Sequence, residues 1–150
     1  MGMRVPKEGQ VQLLNDALAG GSLEAWQLRT FSTAHTPAVT DTLSTYTAIE
    51  TSVAGYSAIT ITRSVSGTTW STPAATGTTI DSTNNNAKST YGSSSPQFSY
   101  TASGTIYGYF IKGATNGKCM GGEAFASSFT VSNGSTLSIP LSYELGSDTH

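Results

Sequence analysis

The chain has two histidines, His35 and His150, and one cysteine, Cys119. A hydrolase of the nucleophilic kind pairs a Ser, Thr or Cys with a base, usually a His oriented by a carboxylate. His35 stands beside Thr36 and Pro37 in a loop sequence, which predicts a solvated side chain, and His150 is terminal. No serine lies in a Gly-x-Ser-x-Gly turn. A glycosidase needs two carboxyls facing one another across a sugar. The nine acids, Glu8, Asp16, Glu24, Asp41, Glu50, Asp81, Glu123, Glu144 and Asp148, are dispersed, and their spacing pairs none of them. No Cys/His or Asp cluster has zinc or calcium spacing. These residue types predict a protein with no catalytic residue, no cofactor and no metal. Cys119 reads as a small buried side chain rather than a reactive thiol, and a single cysteine forms no disulfide within the chain.

Binding is the remaining chemistry. Trp26, Trp70, Tyr91, Tyr107 and Tyr109 are aromatic enough to stack on sugar rings, but aromatics within strands fill cores. Tyr91, in a polar stretch, is the one retained as a platform. The seven cations, Arg4, Lys7, Arg29, Arg63, Lys88, Lys112 and Lys118, form no patch, so nucleic acid is not an expected partner. The segment Met3-Arg4-Val5-Pro6 is held extended by its proline and exposes backbone donors and acceptors that can join a neighbour's sheet edge. Together with the loop at 34–47, it supplies the candidate partner-binding residues: Met3, Arg4, Val5, Pro6, His35 and Pro37.

The elements that must position these residues follow from periodicity. Residues 105–114, TIYGYFIKGA, are the most apolar and β-prone stretch. Alternation puts Ile106, Gly108 and Phe110 on one face and Tyr107, Tyr109 and Ile111 on the other, a strand covered on both sides. Gly108 inside it marks a bulge or a close backbone approach. Burying Ile106, Phe110 and Ile111 is worth roughly 5–9 kcal/mol gross. Behind an arm at 1–6, Pro6 and Glu8 suit a helix start. Val11, Leu14 and Leu18 then fall at helical spacing, which predicts a helix over 7–19 whose stripe lies on a sheet.

Further strands are expected at 24–33, 56–63, 67–71, 97–101, 118–126 and 135–145, the last with Leu137, Ile139, Leu141, Tyr143 and Leu145 in period two. A helical turn is expected at 41–43, and Phe125 and Phe129 are expected to anchor the chain. Asn116-Gly117 and Asn133-Gly134 are hairpin turns. Residues 76–96, almost without apolar side chains, read as a mobile loop or a polar edge hairpin that tolerates shortening. The pattern predicts one all-β domain over 1–150, an antiparallel β-sandwich of jelly-roll type with one short N-terminal helix.

The bulk numbers agree with such a surface. Net charge is −2 and 11% of residues are charged, about half the usual share. Ser and Thr make up roughly 30% of the chain, giving polarity without charge. No apolar run is long enough to span a membrane. Met1–Arg4 is followed by no apolar core of a signal peptide, so synthesis in a cytoplasm without processing is expected.

Three stretches carry a resemblance: 4–18 (RVPKEGQVQLLNDAL), 36–61 (TPAVTDTLSTYTAIETSVAGYSAITI) and 106–125 (IYGYFIKGATNGKCMGGEAF). They cover roughly half of the chain and resemble a group of small structural proteins encoded by tailed phages, often beside the capsid gene. Residues 76–96 depart from that pattern. The resemblance implies a virion protein of the head decoration, or cement, type on the outer capsid surface. Its partners would be the major capsid protein and further copies of itself, as dimer or trimer, with no catalytic residues to carry over. The alternative is a tail-fibre or baseplate adhesion module that binds host-surface glycans.

Overall fold

The computed structural model describes residues 3–18, 23–63, 70–71, 74–76, 86–92 and 94–145. Helix α1 (Lys7–Leu18) is followed by strand β1 (Trp26–Phe31), the one-turn helix α2 (Leu43–Thr47) and strand β2 (Ile59–Ile61). Then come β3 (Ala74–Thr76), β4 (Asn86–Thr90), β5 (Gln97–Ser99), β6 (Gly104–Gly113), β7 (Cys119–Val131), β8 (Thr136–Ser138) and β9 (Ser142–Leu145). Among the described residues three sheets form, in the orders β2-β1-β6-β7, β3-β4-β9 and β5-β8, and every pairing is antiparallel. Among the described residues the protein is all-β, with one helix of 12 residues and one of five.

Strand β6 lies between β1 and β7 and is buried on both faces, as its two-sided bulk requires. The main core takes Trp26 and Leu28 from β1, Phe98 from β5, Leu137 from β8 and Tyr143 from β9, so all three sheets share it. A second cluster on the opposite face of β6 holds Phe31, Tyr46, Phe110 and Cys119.

The faces of β6 differ from simple alternation. Ile106 belongs to the main core with Tyr109 and Ile111, whereas Phe110 faces the second cluster, where Tyr107 also packs. The pairing with β7 is irregular at the same place. Ile106 pairs with Phe129 and Gly108 with Ala124, so β7 advances five residues while β6 advances two. A side chain at Gly108 would collide with the Glu123 carbonyl and the Phe31 ring. Phe129, just past the irregularity, is 41% exposed and anchors nothing, while Phe125 packs on the main core.

Both turns sit at their expected residues, with Gly117 at φ 65° and Gly134 at φ 82°, values that favour glycine, but only Asn116-Gly117 closes a hairpin, between the paired β6 and β7; Asn133-Gly134 instead carries the chain from β7 into β8, which pairs with β5 in another sheet. The expected strand at 135–145 is split. Leu137, Ile139, Leu141 and Tyr143 all face the core, but the chain changes sheets around the exposed Pro140, β8 pairing with β5 and β9 with β4. The polar stretch after residue 76 contains a strand, β4. β4 pairs with β3 on one side and β9 on the other. Shortening across 86–90 would therefore remove the middle of a sheet rather than a loop. Residues 67–69 of the strand expected at 67–71 lie outside the described residues, as do Leu18's successors at 19–22.

Candidate functional site

The extended start of the chain does not project. Arg4 and Gly122 exchange backbone hydrogen bonds, Arg4 N–H to Gly122 O at 2.8 Å and Gly122 N–H to Arg4 O at 2.9 Å. The arm thereby adds to the free edge of β7, the kind of pairing an uncovered edge invites. Met3 is 8% exposed and belongs to the main core, packed against Gly121. Pro6 is buried, Val5 is half-buried against the core, and Arg4 is exposed. Of the four arm residues proposed to contact a partner, Arg4 is the one whose side chain faces solvent.

Beside the arm lies the 34–47 loop. Lys7 donates its backbone N–H to Val39 O at 3.0 Å. Pro37 is buried. His35 is not solvated: it is half-buried and Nε2 lies 2.8 Å from Asp41 Oδ2, with its ring against Phe31 and Tyr46. Asp41 Oδ2 also accepts from the Ala38 N–H at 2.8 Å and the Tyr46 hydroxyl at 3.1 Å. Burial alone would raise the Asp41 carboxyl, but those three hydrogen bonds and the His35 ring outweigh it and hold it below the usual 3.8. Tyr46 stacks on Phe110 at 5.1 Å and 20°. Its hydroxyl is pushed up by burial, with Cys119 and Asp41 adding to the effect.

Glu8 ties these pieces together. Its Oε1 accepts the Leu43 N–H at 2.9 Å and the Cys119 N–H at 2.7 Å. One carboxylate oxygen thus satisfies the first amide of α2 and the first of β7 while belonging to α1. The sequence suggests a simpler role, an acid at the positive end of its own helix. Gly9, next to it, permits the contact. A Cβ there would lie 2.6 Å from Cys119 O and 3.1 Å from Met120 Cα. Further along, Asp16 and Arg63 form an ion pair at 2.7 Å, their side chains 5% and 13% exposed, and Arg63 lies over the Trp26 ring at 4.6 Å. No local sequence signal marks this pair, 47 residues apart.

The arrangement is a clamp on backbone. Burial pushes the Cys119 thiol up to about 12, with the charges of Glu8 and Asp41 adding to it, so the thiol is protonated at neutral pH. His35 Nε2 is committed to Asp41. Among the described residues no group of three or more His, Cys, Asp and Glu can hold a metal ion. Trp26 and Tyr109 are core residues, and Trp70 and Tyr91, both half-buried, face one another at 5.2 Å and 68°.

A pH prediction follows from Asp41. A carboxyl whose folded pKa is depressed contributes stability that is full above its unfolded value and is lost as pH falls through the folded one. Wild-type stability should therefore fall from about pH 4 downwards in part through Asp41. Asp41→Asn should cost about 1–3 kcal/mol at pH 7. The gap between the two proteins should narrow as pH drops below 3.8. Urea titrations at several pH values check this, and a gap that stays constant refutes it.

A scan against protein-family models, a search of curated proteins and a search of solved structures each find no match for this chain. No described helix is long and apolar enough to cross a membrane.

Proposed function

We propose that the chain is a virion structural protein, a decoration or cement protein bound to the outer surface of a tailed-phage head. In this reading it ties neighbouring copies of the major capsid protein together and associates with copies of itself. It is made in the host cytoplasm, performs no catalysis and needs no cofactor or metal. Its sheets enclose the shared core as a sandwich of jelly-roll type.

The observation that carries the reading is the junction at Glu8. The three stretches that resemble phage structural proteins are far apart in sequence, yet one carboxylate oxygen bonds all of them: Glu8 from the first, Leu43 from the second, Cys119 from the third. Arg4 on Gly122 and Tyr46 on Phe110 join the same three stretches again. Within 76–96, which departs from the resemblance, Thr76 and residues 86–90 belong instead to the sheet of β3, β4 and β9. A rigid body with a weakly charged surface suits a protein that holds many contacts on a particle, where effective concentration strengthens each one.

The half-buried Trp70–Tyr91 pair favours a second reading, a fibre or baseplate module that stacks sugar rings. Copy number separates the two. Quantitative mass spectrometry of purified particles should find this chain at a fixed ratio to the major capsid protein and abundant. A few copies per particle would favour the fibre.

A further inference from the structure

The chain carries two Asn-Gly pairs, Asn116-Gly117 and Asn133-Gly134, and the fold treats them differently. Asn before Gly can react with its own backbone, because the glycine has no side chain to screen its nitrogen from the Asn Cγ. Three things favour that reaction: a nitrogen free of hydrogen bonds, a polarised side-chain carbonyl, and the two held together.

At Asn133-Gly134 the nitrogen is tied. Gly134 donates its N–H to Tyr100 O at 2.9 Å, and Ser135 N–H to Ser132 O at 3.0 Å closes the turn around it. At Asn116-Gly117 it is free: among the described residues the Gly117 N–H has no hydrogen-bond partner. Lys118 N–H donates to Asn116 Oδ1 at 2.8 Å. That bond draws electron density from Cγ and curls the side chain over the Gly117 peptide between them. Glu24 Oε2 fixes the backbone here, accepting the Thr115 N–H at 2.6 Å and the Asn116 N–H at 3.0 Å. Asn116 Nδ2, the nitrogen that leaves in such a reaction, is a buried donor with no partner, so its departure breaks no hydrogen bond.

We propose that Asn116-Gly117 is a self-modification site, at which Asn116 becomes aspartate or isoaspartate and the β6–β7 hairpin loosens. Hydroxide removes the Gly117 N–H proton. The nitrogen attacks Asn116 Cγ, the Cγ–Nδ2 bond breaks, and Nδ2 leaves as ammonia with a proton from water, which regenerates hydroxide. A second water opens the resulting imide ring at either carbonyl, its OH going to that carbon and its hydrogen to the Gly117 nitrogen. The net change is one water consumed and one ammonia released.

Glu24 gives the change its consequence. Its Oε1 is buried without a partner. Glu24 Oε1 and Asn116 Cγ lie 2.6 and 2.8 Å from one point, the place a Gly113 Cβ would occupy. An aspartate keeps the oxygen that serves Lys118 but sets a second negative charge beside that carboxylate. Isoaspartate also lengthens the backbone inside the loop that Gly113 N–H closes on Lys118 O at 2.9 Å. None of this rests on the capsid reading.

Timed incubation of the pure protein in mildly alkaline buffer, folded and in urea, followed by peptide mass spectrometry, tests the site. In urea both pairs offer the same two residues without the fold. The ratio of conversion at Asn116 to conversion at Asn133 should be about ten-fold or more higher in the folded protein than in urea. A ratio that folding does not raise, or a folded protein that leaves Asn116 intact, overturns the site. The consequence is read separately. Asn116→Asp should unfold at a lower urea concentration than wild type, and the loss should shrink by more than half in a Glu24→Gln background. Equal losses in the two backgrounds, or no loss in either, overturn the loosening. Should Asn116→Asp fail to fold, aged wild-type protein gives the answer. Hydrogen exchange at the Gly113 amide should be faster in converted chains than in unconverted ones, and equal exchange overturns the loosening.

Discussion

Gly108→Val should cost about 3 kcal/mol or more, a large part of the stability of a domain this size. The added side chain meets the Glu123 carbonyl on β7 and the Phe31 ring on β1 at once. The ring can rotate, but the carbonyl belongs to a strand paired through Tyr109↔Glu123, so relief requires parting β6 from β7. Denaturant unfolding should show a much lower midpoint. Gly134→Ala serves as the comparison. Nothing lies within 4 Å of its added Cβ, and the cost is that of φ 82° alone, about 1 kcal/mol. Equal losses at the two sites would mean that the close packing at Gly108 is not what limits β6.

Glu8→Ala should cost about 2–5 kcal/mol, because it strands two backbone N–H groups, those of Leu43 and Cys119, in a part-buried junction. Glu8→Gln keeps an acceptor oxygen and should recover more than half of the loss. Hydrogen exchange gives the sharper readout: in Glu8→Ala the amides of Leu43 and Cys119 should lose protection before those of β1 and β6. If Glu8→Ala is as stable as wild type, the junction is not held by this carboxylate.

Much of this architecture is legible in the residues. The Asn116-Gly117 and Asn133-Gly134 turns need positive φ and take it. Ile106, Phe110, Ile111, Leu137, Ile139 and Leu141 are all buried as their patterning predicts. Gly108 reads correctly as a bulge or close approach. What that reading misses is the change of face, Ile106 packing with Tyr109 and Ile111 while Phe110 packs in the second cluster. It coincides with an irregular pairing to β7, 15 or more residues further along the chain, which nothing within 105–114 marks. The helix is legible as a helix, but its stripe faces outward, with Val11 51%, Leu14 59% and Leu18 82% exposed, because the inward side is decided by Gly9, Glu8 and Asp16 through partners 35 or more residues away. Glu8 and Cys119 are separated by 111 residues, and His35 reads as solvated because its partner Asp41 looks like any loop acid. Met3 and Pro6 read as an arm for a neighbour, yet the uncovered edge of β7 in the same chain takes that arm first.

The central claim is attachment to the outside of a phage head. The direct measurement adds the pure protein to heads stripped of it and images them by electron cryomicroscopy, alongside untreated stripped heads. The account predicts saturable new density at repeated positions on the outer capsid surface, bridging neighbouring capsid subunits. Bare heads at saturating protein, or density confined to the tail, would contradict it.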